Sequence, residues 1–232
     1  MAVSGERKAG GLAERMERVN ARIRGACARS GRPAESVRLV AVAKRHPPEL
    51  IREAYRLGQR EFGENYLQEL SAKAEALGDL PDIRWRFIGH LQRNKARDAA
   101  RICHCVDTVD SPRLAEALDR KAQQAGRGLE VLIEVNLAGE GQKAGCDPSE
   151  VGRLAESLRR LDALQLRGLL AIPPAASDPE QVRPYFRELR RLAHDLSLPE
   201  LSMGMSADLE VAVEEGATMV RVGTDIFGER DT

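Results

Sequence analysis

The sequence predicts an α/β protein of one domain, a (β/α)8 TIM barrel with an extra N-terminal helix. Three observations predict it. Short apolar runs alternate with amphipathic helical stretches eight times between Leu39 and Thr224, as expected of parallel strands covered by helices on both faces. No hairpin signal joins one strand to the next, so each connection must be a crossover. The 232 residues suit a single barrel near the small end of its size range, with residues 1–10 as a flexible lead. An open doubly wound sheet is the competing arrangement, and the short second and fourth strands are where the eightfold count is weakest.

Leu12, Met16, Val19, Ile23, Ala26 and Cys27 recur at helical spacing until Gly31 and Pro33 stop the run, which gives the leading helix. Leu39-Val-Ala-Val-Ala-Lys44 has no polar alternation and reads as a buried strand; Pro47 and Pro48 stop it and open a helix bearing Leu50, Ile51, Ala54 and Leu57, closed by Gly58. Glu61-Phe-Gly-Glu-Asn65 is the second strand, followed by a helix on Leu67, Leu70, Ala74 and Leu77. Trp85-Arg-Phe-Ile-Gly-His90 is the third strand, with a helix over 91–100 behind it. Residues 102–109 form the fourth, and Ser111 caps the next helix, to about Ala125. The fifth strand covers 129–136; after it a loop over 138–147, with three glycines and Lys143, is the expected mobile segment. A helical face on Val151, Leu154, Ala155, Leu158 and Leu161 precedes the sixth strand, 164–172. Pro184 sits inside the helical pattern of residues 182–196, so that helix starts or kinks there. Strands at 201–206 and 219–224, separated by a helix over 207–215, complete the count.

Composition narrows the function. Hydrophobic residues are 42% and charged residues 31%, as in a soluble globular protein, and aromatics at 3% make the core aliphatic. Acidic and basic residues balance at 36 each, which argues against a nucleic-acid or membrane surface. No apolar segment is long enough to span a bilayer and no signal-peptide core follows Met1, so the expected location is the cytoplasm; Glu6, Glu14 and Glu17 interrupt what could otherwise pass for a transit peptide. Cys27, Cys103, Cys105 and Cys146 lack zinc-site spacing, and neither a metal nor a disulfide is expected. Cys103-His104-Cys105 alternates within the expected fourth strand, which suggests buried packing.

Lys44 follows the first strand, at the carboxyl-terminal edge where α/β folds bind ligands. A lysine partly removed from water is a better nucleophile toward an aldehyde; the plainer alternative is a strand-end lysine whose head reaches water. In a barrel, Lys44, Asn65, His90, Asn136, Ser206 and Arg221-Val-Gly-Thr224 all come to one mouth. Ser206 and Gly223-Thr224 occupy the places where barrels commonly hold phosphate, although Ser206 also reads as a helix N-cap and Gly223 as a turn glycine. Arg221 lies within an apolar strand and needs either a ligand atom or a structural ion pair. Asn65 is otherwise a capping residue, and His90 a satisfied polar one. Lysine plus phosphate cup suggests a Schiff-base aldolase or a site for pyridoxal 5'-phosphate (PLP). Arginine beside a pyridine nitrogen would leave it unprotonated and weaken the cofactor as an electron sink, and Arg221 favours PLP.

The chain resembles the single-domain PLP homeostasis proteins, whose barrel is similar to the N-terminal domain of bacterial alanine racemase, the fold type III group. The matching stretches are Leu39-Val-Ala-Val-Ala-Lys44, Phe62-Gly-Glu-Asn65, Phe87-Ile-Gly-His-Leu-Gln92 with Asn94-Lys95, Val135-Asn136, Gly168-Leu-Leu-Ala-Ile-Pro173, Leu201-Ser-Met-Gly-Met-Ser-Ala-Asp-Leu209, and Val220-Arg-Val-Gly-Thr224 with Phe227-Gly228. The resemblance runs from Arg38 to Arg230. It implies that Lys44 is the internal-aldimine lysine, Arg221 the pyridine-nitrogen partner, Ser206, Gly223 and Thr224 the phosphate ligands, and Asn65 and His90 neighbours of the ring. Three positions depart from the family: Ala43 and Arg45 replace a usual serine and threonine beside the lysine, and Arg86 a common histidine.

Alanine racemase needs a second, all-β domain and a tyrosine base, whereas this sequence ends at Thr232 and Tyr55, Tyr66 and Tyr185 all fall on expected helices. The resemblance therefore implies a PLP carrier acting in vitamin B6 homeostasis without robust catalysis, with no catalytic residue. A minimal fold type III racemase is the alternative, and an aldolase the third. Expected partners are PLP, PLP-dependent apoenzymes and amino acids, and the expected state is a monomer or weak homo-oligomer.

Overall fold

In the computed structural model, which describes residues 11–139 and 144–229, eight parallel strands are hydrogen-bonded in chain order and the last pairs with the first. Lys143, Arg230 and the lead over 1–10 lie outside the described residues. After helix α1 (Leu12–Arg29) the order is β1 (Arg38–Val42), α2 (Pro48–Arg56), β2 (Glu61–Glu64), α3 (Leu67–Ala76), β3 (Arg84–Phe87), α4 (Ala96–Ile102), β4 (Cys105–Val109) and α5 (Pro112–Gln124). It continues with β5 (Leu129–Glu134), α6 (Val151–Leu158), β6 (Leu164–Leu170), α7 (Arg183–Asp195), β7 (Glu200–Ser202), α8 (Leu209–Glu214), β8 (Met219–Val222) and the short α9 (Thr224–Phe227). The closed barrel, not the open sheet, is the arrangement found.

Apolar side chains divide between two compartments. The larger core lies between sheet and helices, and all six periodic residues of α1 are buried in it. Inside the barrel, Val40, Cys105, Leu132, Leu170 and Met219 form a small separate cluster. Beside that cluster Arg86, 0% exposed, bonds both oxygens of Asp107 (2.9 and 3.0 Å) and Glu61 Oε2 (2.9 Å). A buried guanidinium is tolerable only when its charge is matched in this way. Gly168 marks where β6 meets β7: a Cβ there would stand 1.9 Å from the Glu200 carbonyl oxygen.

Several boundaries differ from the sequence reading. β3 stops at Phe87, leaving His90 beyond the strand, and β4 starts only at Cys105. Cys103 terminates α4, and His104 Nδ1 accepts a hydrogen bond from the Trp85 amide (3.0 Å), so no single strand contains the Cys-His-Cys alternation. All four cysteines are nonetheless free and buried. Ser111 precedes α5 without a side-chain capping bond. Asp208, not Ser206, is the N-cap residue of α8, and its Oδ1 accepts from the Met205 amide (2.6 Å). Tyr66 precedes α3 instead of lying within a helix and is 49% exposed. Pro184 falls in the first turn of α7, which starts there without a kink because a proline in that turn breaks no helical bond. Among the described residues no helix is long and apolar enough to cross a membrane, and no His, Cys, Asp and Glu group could hold a metal ion.

Candidate functional site

The carboxyl ends of β1, β2, β7 and β8 surround a cavity of about 280 Å³, just below the ~300–1,000 Å³ common for ligand pockets. Lys44, Asn65, Ser206, Arg221, Gly223 and Thr224 line it together with His46, and Val42, Ile88, Ile172 and Met205 supply apolar wall. Six of the seven residues that the resemblance assigns to the cofactor therefore meet. His90 does not: it lines a neighbouring open groove with Tyr66, Gln92 and Lys95, and its exposed ring lies 3.9 Å from Asp110. Asn65 borders both spaces. Asn136 lines neither.

Lys44 is carried by a tight turn. The His46 amide donates to the Ala43 carbonyl (3.0 Å), which closes a four-residue turn, and Arg45 in its third position has φ +61°. That conformation suits glycine and costs another L-residue roughly 1–2 kcal/mol. At the far side of the turn the His46 ring lies 5.2 Å from that of Phe227 in α9.

Arg221 projects from β8 and is only 4% exposed. Its guanidinium donates to Ser202 Oγ (2.9 Å) and to the Ala171 carbonyl (3.1 Å), and among the described residues it forms no ion pair. Burial lowers its proton affinity, against the opposing pull of Asp107, Asp208 and Glu134. A guanidinium has five N–H donors, so two neutral acceptors leave hydrogen-bonding capacity for a ligand. The cup opposite is built where β7 and β8 end. A Cβ on Gly223 would lie 3.1 Å from the Val42 carbonyl oxygen, so the close approach of β8 to β1 favours glycine there. Asn65 Oδ1 is buried with no hydrogen-bond partner. A ligand with a carbonyl, an acidic phosphate and a ring acceptor fits these donors, an amine and a guanidinium among apolar walls with hydroxyls at one end, while the unsatisfied Asn65 oxygen is an acceptor left for a ligand donor.

Sequence reasoning missed the supports. Arg22 of α1 bonds Glu210 (2.6 Å), Asp225 (2.6 Å) and the Ser206 carbonyl (2.7 Å), which ties the leading helix to the cup. Beneath Lys44, Lys73 of α3 is buried and donates to Glu64 Oε1 (2.7 Å) and to the Ala43 carbonyl (2.8 Å). Burial pushes the Glu64 carboxyl up to about 7, outweighing Lys73. Glu64 Oε2 has no partner. A sequence signal for Lys73 did exist: it sits between Leu70 and Leu77 on the inward stripe of α3, where a solvated lysine would not belong.

The family model for the alanine racemase N-terminal domain matches residues 16–231. A pyridoxal phosphate homeostasis protein from Aquifex aeolicus is 45% identical over 223 residues, covering 94% of this chain and 97% of that one. Its counterpart from Homo sapiens is 41% identical over 232 residues, covering 92% and 84%. Among solved structures, PipY of Synechococcus elongatus with PLP bound superposes with a TM-score of 0.83 at 42% identity, covering 94% of this chain and all of that one.

Proposed function

The chain belongs to the alanine racemase N-terminal domain family and to the pyridoxal phosphate homeostasis proteins, and from that premise we propose that its barrel mouth holds PLP covalently through Lys44, for intracellular vitamin B6 homeostasis and not for turnover. The observation that carries this reading is the convergence of Lys44, Arg221, Ser206, Gly223 and Thr224 on one cavity. When bound, PLP supplies an aldehyde that condenses with amines, and an anionic phosphate as a handle.

The residues divide the work. Lys44 offers the amine. Ser206 and Thr224 donate hydroxyl hydrogen bonds to phosphate and Gly223 lets the backbone approach, each charge-assisted bond contributing about 1.5–3 kcal/mol before losses. Arg221 faces the ring nitrogen as a donor that has no lone pair to accept a proton, so it holds that nitrogen unprotonated and disfavours carbanion chemistry. Asn65 meets the ring edge with its unsatisfied oxygen. His90 lines the adjoining groove, and Asn65, which borders both spaces, is the link by which it would stand near the ring. Apoenzymes and amino acids are the proposed recipients, the chain acting in the cytoplasm as a monomer or weak homo-oligomer. Four buried free thiols support that compartment.

Racemisation would need a second acid-base group facing Lys44 across the substrate. Of the tyrosines only Tyr66 borders either space, and it lines the outer groove. The proposal is tested by incubating the protein with PLP, reducing with borohydride and mapping peptides. The expected result is a pyridoxyl group on Lys44, absent in Lys44→Ala although that variant stays folded. Label confined to another lysine would overturn the assignment.

A further inference from the structure

The turn that carries Lys44 is gripped from one helix on both of its peptide flanks. Before Lys44, the Ala43 carbonyl accepts from Lys73 Nζ (2.8 Å) as well as from the His46 amide. After it, the Arg45 amide donates to Glu69 Oε2 (2.8 Å). Lys73 and Glu69 are one helical turn apart on α3 and face each other at 3.4 Å, while Lys73 is anchored from below by the fully buried Glu64. Glu64 ends β2, the strand that pairs with β1, so the whole relay hangs on the sheet that positions Lys44.

Arg45 occupies a left-handed conformation that a residue with a Cβ adopts only when its surroundings enforce it. The Glu69 and Lys73 bonds are the enforcement: one satisfies the strained residue's own N–H, the other the carbonyl that opens the turn. Without them the turn can relax toward ordinary φ values, and a peptide rotation at residues 44–45 swings the Lys44 side chain away from the cavity.

We propose that Lys73 and Glu69 are positioning residues for Lys44, holding its turn in the left-handed form that presents the amine to the cavity. The inference rests on the reading of Lys44 as the aldehyde-accepting residue, and its test separates the two. Ligand-free protein is treated with formaldehyde and cyanoborohydride, and the rate of Lys44 methylation is followed by mass spectrometry. In parallel, PLP with borohydride measures pyridoxyl incorporation. Glu69→Ala should slow both reactions at Lys44 about fivefold, the factor that about 1 kcal/mol of turn stabilisation represents. Glu69→Gln keeps an acceptor oxygen and should stay near wild type. Lys73→Met, made with Glu64→Gln so that no charge is orphaned, should also slow both.

The decisive variant is Arg45→Gly in the Glu69→Ala background, because glycine adopts the left-handed conformation without strain and should restore the rate. A general loss of structure would not be rescued in this way; melting curves confirm folding. Unchanged Lys44 rates in Glu69→Ala and in the Lys73 variant overturn the clamp. So does a slowed rate that Arg45→Gly leaves slowed. Wild-type protein that methylates at Lys44 but takes no pyridoxyl group there counts against the PLP reading alone, and the methylation rates still decide the clamp.

Discussion

Replacing Glu64 with glutamine gives the buried carboxyl under the Lys44 turn a neutral counterpart of the same shape, and its effect on stability should depend on pH. Burial raises this carboxyl from its ordinary value of 4.5 to about 7, despite the Lys73 ammonium 2.7 Å away. The folded chain therefore holds the proton more tightly than the unfolded chain. The stabilisation that results is fully present below about pH 4.5 and is lost as pH rises through about 7. At about 1.4 kcal/mol per pKa unit, the wild type should lose ~2.5 kcal/mol between about pH 5 and about pH 8 that the Gln variant retains. Glu134 and Asp208 are also raised by burial and slope both curves the same way, so the difference between the two proteins isolates Glu64. Urea unfolding at closely spaced pH values measures it. A difference that stays flat, or that moves in favour of wild type as pH rises, would mean that the ion pair with Lys73 outweighs desolvation, and the reasoning would be wrong.

Arg86→Ala should destabilise the barrel by about 3–5 kcal/mol, because it leaves the fully buried Asp107 without its bidentate partner. Arg86→Met combined with Asp107→Leu should recover most of that loss in thermal or urea unfolding, and equal losses in the two proteins would show that packing dominates over the orphaned charge. Alanine or serine incubated in D2O with the PLP-loaded protein should gain deuterium at Cα no faster than with a Lys44→Ala control, as read by NMR. Fast, Lys44-dependent exchange with inversion would establish a racemase.

Much of the architecture was legible because parallel strands and their covering helices write different periodicities into the chain. Six apolar residues of α1 and the unbroken run before Lys44 needed no neighbour to be interpreted. Strand-end residues followed from the fold class, since eight parallel strands must bring their carboxyl ends to one rim, and that alone gathered Lys44, Ser206, Arg221, Gly223 and Thr224. Residue types left an aldolase or a PLP site open and Arg221 favoured PLP, while the individual roles expected of these residues came from the family resemblance.

What the sequence could not decide were contacts across long separations. His90 reads as a strand-end residue, but β3 gives way to loop at Phe87, and three residues of loop carry the imidazole into the next groove. Arg221 looked equally suited to an ion pair; only the closed barrel, which brings Ser202 and Ala171 against it, showed that its partners are neutral. The place of Lys73 on the inward stripe of α3 signals burial, but nothing local shows that its amine will meet the Glu64 carboxyl and the Ala43 carbonyl. Periodicity is a property of neighbours along the chain and can be read from the chain. Desolvation and the pairing of charges depend on which elements come together, and that is fixed only when the barrel closes.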